Sequence, residues 1–177
     1  MCGSGTLAIE ASIIADRLPA GIYRDSFGFM HWLDYDKDLH AVIEAAALKR
    51  IQESSQGIFA SDIDPDALKA AKLNSVSALV EDKISWSHED FIKTTAPSER
   101  GILVMNPPYG RRIDVDVETT YRAIGEHLRN AYQGWTAWVV VPSAKASKAL
   151  QMKSNQQIPF QNGDLDCMWQ EFDIYRE

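Results

Sequence analysis

The sequence predicts an α/β fold: a mostly parallel, doubly wound sheet that ends in a C-terminal antiparallel hairpin. Three observations predict it. Short apolar segments alternate with helical ones from the first residues to about position 152. One of those segments, TAWVVV, has the continuous apolar character of a strand buried on both faces. The last stretch reads as two alternating strands around Asn162-Gly163, the strongest short hairpin signal.

The elements follow in order. TLAIEASIIAD (Thr6 to Asp16) is an apolar helix that opens just behind a glycine turn, with Leu7, Ile9, Ala11, Ile13 and Ile14 expected inside. Leu18 to Asp36 is rich in aromatics, glycine and proline and is expected as an ordered insertion. A second helix is expected from about Lys37 to Ser54. GIFASD (Gly57 to Asp62) is a short strand. Asp64 then suits an N-cap, and Pro65 the first helical position of ALKAAKLNSVSALV. ISWSHED (Ile84 to Asp90) is a strand ending in acid. GILVMN (Gly101 to Asn106) is a buried strand stopped by Pro107 and Pro108. Glu118 to Tyr132 and Ala144 to Met152 are helical, flanking the strand Thr136 to Val141.

Length and composition restrict the functions open to this chain. Its 177 residues amount to one domain at roughly 150 residues per domain, and no internal boundary is visible, so residues 1–177 are expected as a single unit. A net charge of −7 argues against a broad cationic face for nucleic acid on this segment alone. No apolar run approaches the ~18 residues of a membrane span. Cys2 and Cys167 lie far apart without metal-type spacing, as in a reduced cytoplasmic protein. His31, His40, His88 and His127 show no ligand spacing either, so no metal is expected.

Three motifs carry chemistry. Gly3, Gly5 and Ala8 fit G-x-G-x-x-A, a turn that lets backbone approach a ligand at a helix N-terminus. A tight turn without a ligand reads the same way. Asp62 ends the next strand and can sit beside that turn to accept from two ribose hydroxyls, or it can serve as a cap. It lies 59 residues beyond Gly3, against the ~20 of a dinucleotide site, which disfavours an NAD-linked oxidoreductase. Asp90, or Glu89 beside it, can face an adenine amine or only water.

The most specific motif is Asn106-Pro107-Pro108-Tyr109-Gly110 after a buried strand. Two prolines stiffen the turn and remove backbone donors. The Asn106 amide oxygen and the Pro107 carbonyl then make a rigid pair of acceptors, with the flat face of Tyr109 beside them. That set suits a planar group bearing NH2. Two hydrogen bonds to the amine hydrogens draw its lone pair out of conjugation and orient it for attack on an electrophilic carbon.

MCGSGT, SDIDPDAL and NPPYG, in this order, resemble the class I S-adenosylmethionine-dependent methyltransferases that modify amino groups, which implies a Rossmann-like sheet. LPAGIYRDSFGFMHWLDYD and NGDLDC resemble the bacterial 23S ribosomal RNA guanine-N2 methyltransferase family, whose catalytic domain follows an RNA-binding THUMP domain. The resemblance covers essentially the whole chain. It implies S-adenosylmethionine as cofactor, held by Cys2, Gly3, Ser4, Gly5, Thr6, Asp62, Ile63, Asp90, Phe91 and Asn106. It implies Asn106, Pro107, Pro108 and Tyr109 as the catalytic set. Glu10 suits either a supporting or a surface role.

Members of that family carry a strand ending in Asp-Pro just before the glycine turn, and that strand is expected to be missing here. A fragment lacking a central strand and an RNA-binding domain is therefore expected, with weakened cofactor binding. Residues 1–100 carry 10 basic and 16 acidic side chains, while 111–153 carry 7 and 4. Ribosomal RNA is thus expected to be held mainly by a module outside this chain, with Arg111 and Arg112 available to phosphates. Phe27, Phe29, Trp32 and Tyr35 suit either RNA stacking or packing beside the second helix. DNA adenine-N6 or protein glutamine-N5 methylation, and a non-catalytic scaffold, remain as alternatives.

Overall fold

The computed structural model describes residues 1–109 and 116–175. It builds two sheets. In the first, β1 (Ile58–Asp62) runs parallel to β2 (Ile84–His88), with Ile58 opposite Ile84 and Asp62 opposite His88. In the second, β3 (Ile102–Met105), β4 (Thr136–Val141), β5 (Gln156–Asn162) and β6 (Leu165–Asp173) take the order β3-β4-β6-β5. β3 and β4 are parallel; β6 is antiparallel to both β4 and β5. The expected architecture is therefore present, but as two sheets in place of one. A cavity of about 390 Å³ lies where they face each other, lined by Ile58, Phe59 and Ala60 on one side and Ile102, Leu103 and Val104 on the other.

α1 (Thr6–Ala15) packs on the first sheet through Ala8, Ile9 and Ser12. Leu7 and Ile14, expected inside, are 38% and 72% exposed. The apolar residues of this helix are spread around it, and a sheet can cover only one stripe. Asp16 then ties down the chain after the second helix. Its backbone carbonyl accepts from Gln52 N and its Oδ1 from Ser54 N, both within 2.9 Å. Those bonds stop α2 at Leu48 (Lys37–Leu48), six residues short of the expected end.

The insertion before α2 is ordered, as expected. Phe27 and Phe29 stack at 5.3 Å, and His40 of α2 meets both rings edge-on. Tyr35 Oη and His40 Nδ1 are 2.9 Å apart. Three of the four aromatics therefore pack beside the second helix, while Trp32 points outward, 68% exposed.

α3 (Pro65–Ser77) begins with the expected cap: Asp64 accepts from Asp66 N, and Pro65 opens the helix. It ends before Val80 because Leu79 turns into the left-handed region, which buries Val80. β2 stops at His88, so Glu89 and Asp90 lie beyond the strand.

The second sheet carries the main core. Tyr121, Ile124 and Leu128 of α4 (Val117–Ala131) pack on Ala137, Val139, Val141 and Phe172. Each fully buried Ile or Leu contributes about 1.5–3 kcal/mol. Tyr121 Oη donates to the Val140 carbonyl at 2.7 Å, and burial holds its phenol well above the usual pKa. α5 is shorter than expected (Ala144–Ala149), because Gln151 takes a positive φ and Arg129 binds the Leu150 carbonyl at 2.9 Å. The hairpin turn is Gly163-Asp164, one residue later than the Asn-Gly signal places it, because Asn162 still pairs with Leu165.

Gly125 marks the tightest approach between α4 and the segment after α5. A Cβ there would stand 2.0 Å from the Leu150 carbonyl oxygen, a backbone atom that cannot swing aside. Gly125→Ala is therefore expected to destabilise the fold by about 1–3 kcal/mol, the usual cost of overpacking, despite the better helix propensity of alanine. Urea unfolding monitored by tryptophan fluorescence measures it.

Candidate functional site

The glycine turn is held by a buried carboxylate. Asp62, at the carboxyl end of β1 and 7% exposed, accepts from Gly3 N at 2.8 Å and from Asp64 N at 3.0 Å. Cys2 N donates to the neighbouring Ser61 carbonyl at 2.9 Å, and Asn74 Nδ2 of α3 donates to the Ser4 carbonyl at 2.9 Å. The turn is thus fastened to β1 and to α3.

Its two glycines do different work. Both have positive φ, +54° at Gly3 and +82° at Gly5. A Cβ at Gly5 would meet Ala71 at 2.9 Å and Trp86 at 3.0 Å, so Gly5 permits close packing. A Cβ at Gly3 would meet nothing within 4 Å, which leaves open space in front of the turn. No side chain caps α1, so its first N–H groups stay available to a ligand.

The remaining acceptors sit around that opening. A carboxylate has about four acceptor positions, and backbone N–H groups take two of those on Asp62. Burial pushes the Asp62 carboxyl up, but hydrogen bonds from Asp64 N and Gly3 N, together with the Met1 amino group 3.7 Å away, outweigh it and hold the pKa below the usual carboxylate value. β2 brings its end alongside, since Glu89 N donates to the Asp62 carbonyl at 2.9 Å. Asp90 caps the 3₁₀ turn Phe91–Lys93 through Oδ1, which leaves Oδ2 uncommitted. Ile63 is 59% exposed. The ring of Phe91 belongs to the core, stacked on Tyr132 at 5.9 Å, so only its main chain can serve a ligand. Ser4 and Thr6 hydroxyls bond each other at 3.1 Å on the exposed side of the turn, and burial raises the Cys2 thiol pKa. Glu10 is exposed.

The Asn-Pro-Pro-Tyr corner stands at the carboxyl end of β3. Pro107 is fully buried, whereas Asn106 is exposed and its side chain makes no hydrogen bond to the described residues. The corner is thus anchored by a proline ring while its amide stays exposed. Met1 packs against the core cluster that contains Met105, and both line the cavity between the sheets, so the glycine turn and the corner approach each other. Tyr109 is half-buried, and its hydroxyl accepts from Asn162 Nδ2 at 2.8 Å. Burial raises the phenol pKa. Arg111 and Arg112 lie outside the described residues. Among the described residues no group of three His, Cys, Asp or Glu side chains is arranged to hold a metal, and no helix is long and apolar enough to cross a membrane.

Sequence reasoning missed Asn74 and Asn162. Neither stands in a motif, and a single asparagine on a helix or at a hairpin end carries no signal of a partner 53 to 70 residues away.

The sequence pattern of the RMKL-like methyltransferase domain matches residues 1–171. The chain belongs to this family. It is 32% identical over 182 residues to the ribosomal RNA large subunit methyltransferase K/L of Shewanella pealeana, covering 99% of this chain and 26% of that protein. It is 30% identical to a Synechocystis protein named as a candidate RNA methyltransferase, covering 99% of this chain and 46% of the relative. The chain therefore spans between a quarter and a half of these relatives' length. Among solved structures it resembles a possible methylase from Clostridium difficile 630 (TM-score 0.86, 26% identity, 100% of this chain and 47% of that one). It also resembles SMU.472, a candidate methyltransferase complexed with SAH (TM-score 0.87, 23% identity, 100% and 47%). These likenesses establish the Rossmann-like methyltransferase fold.

The clamp on the glycine turn has a pH signature. A carboxyl with a depressed folded-state pKa adds stability that is complete above its unfolded pKa of about 3.9 and is lost as pH falls through the folded value. Asp62→Asn is expected to be less stable than wild type at neutral pH, with the gap narrowing below about pH 4. Chemical unfolding of both proteins across that range measures it; a gap that stays constant would rule out the charged clamp.

Proposed function

We propose that this chain is the catalytic domain of an S-adenosylmethionine-dependent RNA methyltransferase that modifies the exocyclic 2-amino group of a guanine in 23S ribosomal RNA. The observation that carries the reading is the exposed Asn106 amide at the end of β3, without a hydrogen-bond partner among the described residues and set on a buried Pro107. The names of the relatives support ribosomal RNA as the substrate.

The residues around the glycine turn fit the cofactor. Gly3, Ser4 and Gly5 would hold its methionine and ribose portion, with Cys2 and Thr6 flanking, and the space in front of Gly3 admits it. Asp62 retains acceptor positions for the ribose hydroxyls. The free oxygen of Asp90 suits an adenine amine, with Ile63 and the Phe91 main chain alongside. When bound, S-adenosylmethionine supplies an electrophilic methyl group on a sulfonium.

The chain's own contribution is orientation. Asn106 Oδ1 and the Pro107 carbonyl accept from the two amine hydrogens and so turn the nitrogen lone pair out of conjugation. Pro108 stiffens the corner, and Tyr109 offers a face to the target base, which must leave its stack to arrive. No strong general base is required, because the amine is neutral and its proton can leave to water afterwards. The acidic balance of the chain fits RNA affinity supplied largely by a module beyond it, and a cytoplasmic setting fits the substrate.

In the full-length protein, Asn106→Ala is expected to reduce methyl transfer at least about 100-fold, on the scale of removing one oriented polar group, with cofactor affinity within about twofold of wild type. Labelled cofactor and calorimetry measure the two quantities. The same assay with total RNA, DNA and protein separates the substrate classes. Label entering only DNA or protein overturns the RNA reading, and wild-type turnover by Asn106→Ala overturns the role of Asn106.

A further inference from the structure

We propose that Asn162 of the C-terminal hairpin is a positioning residue that holds the Tyr109 ring in register for the target base. The inference rests on the reading of Tyr109 given above and names the elements that orient it. Tyr109 Oη accepts from Asn162 Nδ2 at 2.8 Å. An amide nitrogen only donates and a phenol oxygen can accept, so the direction of this bond is fixed.

The strand register explains how Asn162 is placed to reach that hydroxyl. β5 and β6 pair Asn162 with Leu165 and Phe160 with Cys167. Asn162 and Cys167 are therefore diagonal neighbours on the same face of the hairpin. Had the turn been Asn162-Gly163, as the dipeptide alone suggests, Asn162 would have been a loop residue with its side chain off that face. The Gly163-Asp164 turn keeps it in the ladder. Cys167 is a free thiol, 3% exposed, with no disulfide to account for its burial.

This bond on Oη constrains the tilt of the half-buried ring. A stacking ring fixed before the base arrives avoids the loss of side-chain freedom on binding. The hairpin thus acts on the corner at the end of β3 from the far edge of the same sheet.

The test uses the full-length protein. Asn162→Ala is expected to raise KM for RNA about 3- to 10-fold, the scale of one immobilised side chain, with kcat and cofactor affinity nearly unchanged. Tyr109→Phe keeps the ring and removes Oη, so adding Asn162→Ala to it is expected to change nothing further. An equal effect in both backgrounds, or none in the wild type, overturns the proposal. A second readout needs no substrate. The phenol titration lost in Tyr109→Phe identifies Tyr109 in near-ultraviolet spectra, and Asn162→Ala is expected to move it upward, since a donor to the phenolate has gone. An unmoved titration overturns the anchor. A moved titration in a protein that methylates no RNA overturns the functional reading and leaves the anchor standing.

Discussion

The site depends on one buried carboxylate. Asp62 ends β1, and its two oxygens accept from Gly3 and Asp64, residues on either side of the strand end. The turn at Gly3 needs a positive φ, a conformation that glycine alone adopts cheaply, and a chain that adopts it cheaply also leaves it cheaply. The Asp62 clamp removes that freedom. Asn74 does the same for the next residue through the Ser4 carbonyl. Together they present an ordered, uncapped helix start with open space in front of it.

The corner at the end of β3 uses the opposite strategy. Here the constraint is covalent: Pro107 and Pro108 limit the backbone, and the Pro107 ring is buried in the fold. Rigidity comes from the prolines and the core, and the exposed Asn106 amide has no hydrogen-bond partner among the described residues. The two halves of the site therefore stand on different sheets, with their approach mediated by Met1 and the cavity that Met105 also lines.

Electrostatics follow the same division. Asp62 is kept charged despite its burial, because its backbone donors and the nearby Met1 amino group together stabilise the anion more than the lost water would. Tyr109 and Tyr121 are kept neutral by burial, which suits rings that serve as surfaces and hydrogen-bond donors. The chain as a whole carries a net charge of −7.

The sequence by itself determined the element types, the glycine turn, the cap at Asp64, the Asn-Pro-Pro-Tyr corner and the family resemblance. These rest on local chemistry: positive φ, proline geometry and apolar period are properties of neighbouring residues. Only the tertiary structure decided what depends on distant partners. It ended α2 at Leu48 through Asp16, left Leu7 and Ile14 outside, drew the Phe91 ring into the core and split the strands into two sheets. It also moved the hairpin turn to Gly163-Asp164 and brought Asn162 to Tyr109. A ladder's register is settled by every pair along two strands at once, and a one-residue shift turns each side chain to the other face. No dipeptide signal contains that sum.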